Sequence, residues 1–138
     1  MATRKLPEEH EDIVAFGKGR NPMNHPVVMF RKGKVEEAGS YRHFMLFEDY
    51  YLWVRMLMRG CRMHNLQESL LLFRQCEDMY RRRGGWGYAV DEVRFQREIA
   101  RIGFISRGTA MKNIALRFGV RMMPNGLRHW VYSHLLRR

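Results

Sequence analysis

Three observations predict an α/β fold of a few short strands with flanking helices, closed by a basic helical tail. Short apolar runs flanked by turn residues read as strands, most clearly Val27-Val28-Met29-Phe30, which is β-branched and apolar. Helical periodicity is pronounced around 48–59 and again beyond residue 86. The charge is strongly divided. Residues 1–78 carry 12 basic and 11 acidic side chains, whereas residues 79–138 carry 13 basic and 3 acidic, most of the formal +11.

The elements follow in order. Pro7, with Glu8, Glu9, Glu11 and Asp12 after it, reads as a helix start, because proline suits a first turn and carboxylates favour the positive end of the helix dipole. Ile13, Val14 and Phe16 give that helix its apolar face before Gly17 and Gly19 end it. Residues 21–26 form a turn with two prolines and two asparagines, and the strand at 27–30 follows. A helical turn or two at 34–38 is stopped by Gly39. From Glu48 to Arg59, Leu52, Met56 and Arg59 share one side with Trp53, Leu57 and Gly60 alongside. Two further short strands are expected at 62–65 and 70–74, then helices near 87–102, 106–122 and 125–137, separated at Gly103 and at Pro124-Asn125-Gly126. Residues 1–80 thus form a mixed unit and residues 81–138 a basic tail.

The composition narrows the function classes. A hydrophobic content of 46% argues against wholesale disorder. Cys61 and Cys76 show neither CxxC nor zinc-type spacing and read as reduced thiols. No apolar run reaches the roughly 18–20 residues of a membrane-spanning helix, and no signal-peptide pattern opens the chain. The expectation is a soluble or peripheral cytoplasmic protein whose basic half seeks an anionic partner, lipid or nucleic acid.

Four segments carry a more specific pattern. They are Asn21-Pro22-Met23-Asn24-His25-Pro26, then 27–32, then Ala38-Gly39-Ser40-Tyr41, then Glu48-Asp49-Tyr50-Tyr51-Leu52-Trp53-Val54-Arg55. In that order they resemble the second, acceptor-side half of family 2 glycosyltransferases of the GT-A (Rossmann-like) fold. That family shows a His-Pro turn, an apolar strand, a short helix ending near Gly-Gly-Tyr, and a Glu-Asp pair opening a helix with a Leu-Trp-x-Arg-like run. The resemblance covers roughly residues 10–80.

It implies transfer of a sugar from a nucleotide donor to a glycan or lipid-linked acceptor in surface polysaccharide synthesis. Asp49 is then the catalytic base and Glu48 an acceptor-positioning neighbour. The chemistry is independently reasonable: inverting transfer needs a base for the acceptor hydroxyl, and a first helical turn displays a carboxylate rigidly. Both acids equally suit a plain helix start. His25 and Asn24 are expected on the substrate side, His25 either lining the cleft, meeting a metal or phosphate, or bonding to local backbone. Arg74 either neutralises the leaving diphosphate or ends a strand in solvent.

The Asp-x-Asp motif that holds a divalent metal (Mg or Mn) in the complete enzyme is absent. So is the donor-binding half that would carry it. The expected piece, a truncation, one part of a split enzyme or a cut fragment, then has little activity alone, with the missing half or a second copy as partner. In the tail, Leu127, Trp130, Val131 and Leu135 fall at helical spacing beside Arg128, Arg137 and Arg138, which suits attachment to an anionic membrane surface. The competing readings are a core-packing cap, a non-catalytic partner module, and a nucleic-acid-binding protein, the last without any reader motif.

Overall fold

The computed structural model describes residues 4–72 and 85–122, and these are helical. The helices are α1 (His10–Gly17), α2 (Lys32–Glu37), α3 (Glu48–Met58), α4 (Trp86–Arg101) and α5 (Arg107–Met122), with a 3-10 turn at His25–Val27 between α1 and α2. No strand or sheet occurs among the described residues, which overturns the expected α/β, Rossmann-like class.

The apolar run at 27–30 shows why. Pro26 and Val27 close the 3-10 turn, and Val28 leaves it in an extended conformation. No neighbouring segment supplies a ladder, and an extended segment without one is not a strand. Residues 62–65 are likewise held by other means. The Asn65 backbone N–H donates to the Glu8 carbonyl (3.1 Å), and its side-chain amide donates to the carbonyls of Pro7 (2.7 Å) and Pro22 (3.1 Å). Of the expected strand at 70–74, Leu70 to Leu72 are exposed and irregular, and the remainder lies outside the described residues.

The helices follow local chemistry closely. In α1 the chain turns helical at His10, two residues beyond the acidic start marked by Pro7, and Glu11 and Asp12 occupy the first turn. Both α2 and α3 end in the same cap. Ser40 N–H donates to Val35 and Gly39 N–H to Glu36, while Cys61 N–H donates to Met56 and Gly60 N–H to Leu57. This pairing needs a left-handed residue just past the cap, and Gly39 (φ 82°) and Gly60 (φ 76°) supply it without a Cβ penalty. The same hydrogen bonds close α4 at Phe104 and Gly103.

Helix α3 is the spine. Residues 50–57 are buried without interruption, more than an amphipathic surface helix shows. One side, with Phe47, Tyr50, Tyr51 and Val54, packs on Phe95 and Ile99 of α4 and on Ile105 and Ala110. Phe47 stacks on Phe95 at 4.8 Å, a geometry that adds to the area buried. The other side, with Leu52, Trp53 and Met56, packs on Val35 and Ala38 of α2, flanked by Met23, Val28 and Met63.

Helices α4 and α5 meet through apolar contacts, Ala110 with the Phe95 and Ile99 cluster and Trp86 edge-on to Phe118 (5.7 Å), and through polar groups. Arg117 pairs with buried Glu92 (2.8 Å), Gln96 donates to Glu92 (3.1 Å), and Asn113 donates to Gln96 (2.9 Å) and to the Lys18 carbonyl (2.9 Å). Arg117 also donates to the Gly19 carbonyl, so α1's exit is tied to the helical pair. Met111 and Leu116, which look like contact residues by hydropathy, face solvent. The expected helix at 125–137 lies outside the described residues.

Candidate functional site

Phe47 precedes α3 and offers no side-chain cap, so the first turn's free amides need another acceptor. Asp49 provides it: the Tyr50 backbone N–H donates to Asp49 Oδ1 (2.7 Å). Asn21 Nδ2 donates to the other oxygen, Oδ2, at 2.9 Å. Asn21 is itself held, its Oδ1 accepting the Met23 backbone N–H (3.2 Å). The turn before the 3-10 segment and the start of α3 therefore clamp one carboxylate from two directions. It remains half-buried, each oxygen accepting one of these hydrogen bonds. Glu48, the first residue of α3, is half-buried beside it.

A row of rings leads away from this carboxylate. Burial, and then the Asp49 charge, push the Tyr41 hydroxyl up, so it stays protonated at neutral pH. Tyr41 meets His25 edge-on with centroids 5.9 Å apart, and His25 lies 6.0 Å from the Trp53 ring. Phe30 adds a contact to Trp53 at 6.1 Å. His25 is thus exposed and aromatic in its surroundings, and it reaches the Asp49 neighbourhood through Tyr41. Asn24 precedes the 3-10 turn, and its carbonyl accepts the Val27 N–H (3.0 Å).

Beyond Trp53 lies an open groove of about 600 Å³, with Met23, Val28, Met56 and Met63 among its lining and Arg31 and Arg62 at its edge. Asp49 does not line it, so the carboxylate sits off the groove, beyond the His25 and Tyr41 rings.

Two residues with no expected role brace this region. Arg55 is buried, and its guanidinium donates to the carbonyls of Ala38, Ser40 (2.7 Å) and Tyr51 (3.2 Å) while lying 4.6 Å over the Tyr51 ring. It caps the C-terminal end of α2 and holds the segment entering Tyr41. Burial lowers its pKa, but arginine stays charged. Tyr51 donates to Glu98 (2.6 Å), which Arg101 also grips through two hydrogen bonds of 2.7 and 2.8 Å. Those bonds hold the Glu98 carboxyl down at about 2. Nothing in the sequence pattern singles out Asn21 or Arg55 except their membership of the quoted motifs.

Among the described residues one trio of possible metal ligands gathers, Glu8, Glu9 and His64, all exposed and with ligand atoms within 4.8 Å. Exposed acids often cluster so without an ion, and the trio shares no hydrogen bond with Asp49. Arg74, Arg128, Trp130, Arg137 and Arg138 lie outside the described residues.

Comparison with known proteins gives the class of protein. Over 98% of its length the chain is 36% identical to the UDP-Gal:alpha-D-GlcNAc-diphosphoundecaprenol beta-1,3-galactosyltransferase of Escherichia coli, spanning 49% of that protein. Over 94% of its length it is 39% identical to the amylovoran biosynthesis glycosyltransferase AmsE of Erwinia amylovora, again spanning 49%. An uncharacterized glycosyltransferase of Haemophilus influenzae is 34% identical along the whole chain, which spans 51% of it. No protein-family model and no solved structure matches. The chain is therefore a glycosyltransferase-like segment, similar from end to end to proteins of this activity, and it spans about half the length of the curated relatives it matches.

Proposed function

We propose that this segment is the acceptor-side part of a family 2 glycosyltransferase that builds surface polysaccharide or lipid-linked glycan, with Asp49 as its base. The observation that carries the proposal is the clamped, half-buried carboxylate at the start of α3. A base must be fixed within hydrogen-bond reach of the proton it removes, and a rigid first turn fixes it. The acceptor oxygen attacks the anomeric carbon of the donor, and its proton passes to an Asp49 oxygen. The bond from that carbon to the diphosphate oxygen breaks, and the nucleoside diphosphate leaves with the electron pair. Tyr41 and His25 supply a protonated hydroxyl and a ring edge beside the incoming sugar. The donor, with the divalent metal that steadies its diphosphate, belongs to the half of the enzyme not represented among these residues. By likeness to the Escherichia coli relative, the acceptor is a sugar diphosphate on a polyprenol carrier.

The decisive measurement is steady-state transfer by this chain joined to its donor-binding half. Asp49→Asn keeps the shape and, with its single amide oxygen, one of the two accepted hydrogen bonds, while removing the proton acceptor. We expect kcat to fall roughly 10²–10⁴-fold with little change in KM, and a variant within threefold of the parent overturns the base assignment. We place the enzyme on the cytoplasmic face of the membrane, held by the basic tail with Arg128, Trp130, Arg137 and Arg138. Among the described residues no helix is long and apolar enough to cross a bilayer. Removing 124–138 should abolish binding to anionic vesicles, and unchanged binding removes the tail from that role.

A further inference from the structure

The groove beside Trp53 is not used by the base chemistry, and its composition is specific. Its floor is thioether, aliphatic and aromatic, from Met23, Val28, Met56, Met63 and Trp53. Its edge carries two guanidiniums, Arg31 and Arg62, for which no ion pair occurs among the described residues, whereas Lys34 is already held by Glu37 at 2.7 Å. Trp53 is 1% exposed, yet its Nε1–H has no hydrogen-bond partner among the described residues. A buried donor without an acceptor is costly and uncommon. Met29, beside the groove, is 97% exposed. Methionine surfaces of this kind adapt to irregular apolar chains.

We propose that this groove binds a single isoprenoid-type chain ending in a phosphate or diphosphate, the apolar chain on the methionine and Trp53 floor and the phosphate oxygens on Arg31 and Arg62. Charge complementarity selects the anionic end, since planar guanidinium forks match phosphate oxygens. The row Trp53, His25, Tyr41 then runs from groove to Asp49, so a sugar carried on the phosphate lies toward the carboxylate. That orientation rests on the proposed transferase reading, whereas occupancy of the groove does not.

Cys61 lines the groove and reports on it directly. The full chain is alkylated with a thiol reagent, and the modified peptides are mapped by mass so that Cys61 is read apart from Cys76. Farnesyl diphosphate should slow Cys61 alkylation at least tenfold at saturation, while inorganic pyrophosphate leaves it unchanged and farnesol protects only at about tenfold higher concentration. The Arg31→Ala/Arg62→Ala double variant, altered only at exposed positions, should raise the half-protecting concentration of farnesyl diphosphate about tenfold or more. Met63→Glu should abolish protection. Absence of protection, equal protection by pyrophosphate, indifference to the arginine pair, or protection only when the probe is embedded in vesicles each overturns the assignment. So does loss of protection when the donor-binding half is added, which would make the groove a polypeptide seat. Asp49→Asn should leave protection intact. Failed protection with transfer still dependent on Asp49 discards the groove alone, and intact protection with transfer indifferent to Asp49 discards the base alone.

Discussion

Asp49 does two things at once, and substitutions can separate them. Its Oδ1 accepts a first-turn amide, a helix-start contribution of roughly 0.3–1 kcal/mol, and in the proposed reaction the same carboxylate takes the acceptor's proton. Asp49→Ala should therefore lower stability by about 1 kcal/mol, seen as a shift in urea midpoint, whereas Asp49→Asn should cost less stability and as much activity. Arg55 is the opposite case, purely positional. Its guanidinium satisfies three carbonyls in a buried setting, which an ammonium on a flexible stem does not reproduce. Arg55→Met should destabilise by about 3 kcal/mol, again by urea denaturation, and Arg55→Lys should recover only part. At this scale the sequence was partly readable. Asp49 is legible as a first-turn carboxylate, which a plain helix start would also use, and its place in the quoted motif marks it further. The Asn21 contact is not legible, since an asparagine in a turn looks the same whether or not it reaches 28 residues along the chain.

The elements divide by whether their causes are local. Helix ends depend on residues within one turn, so Gly39, Gly60 and Gly103 mark the ends of α2, α3 and α4 where the structure has them. Gly60→Ala forces a Cβ into left-handed backbone (φ 76°), and should cost roughly 1 kcal/mol or more, read as a lowered Tm. Strands have remote causes. Residues 27–30 and 62–65 have the composition of strands, but composition cannot provide the second strand that would make them one. The α4–α5 seam was hidden for another reason. Asn113, Arg117, Gln96 and Glu92 read as solvated residues in any hydropathy pattern, and they carry the polar part of the contact. Arg117→Ala removes the ion pair with buried Glu92 and the bond to the Gly19 carbonyl, and about 1–3 kcal/mol should be lost. Arg117→Ala with Glu92→Gln should recover part of that, and a double-mutant cycle in urea measures the coupling.

Across the whole molecule, electrostatics makes acid the sensitive direction. Glu98 joins α3 to α4 through Tyr51 and is gripped by Arg101, and its folded carboxyl titrates near 2 against 4.5 when free. The stabilisation it brings is complete above about 4.5 and disappears as pH falls through about 2. In Glu98→Gln the parent's extra loss of stability across that window should be absent, which urea titrations at pH 5, 4 and 3 will show. The division of charge in the chain is readable at a glance, but the helical fold was not, because whether a short apolar run pairs as a strand depends on segments remote in the chain. The most enclosed of the described elements is α3. Its first turn holds the Asp49 carboxylate, and the next eight residues are buried. Backbone amides there should exchange with deuterium more slowly than those of any other described segment. On warming, the segments around α3 would then loosen while the carboxylate was still in position, so in the proposed reaction substrate binding would be lost before the base was displaced.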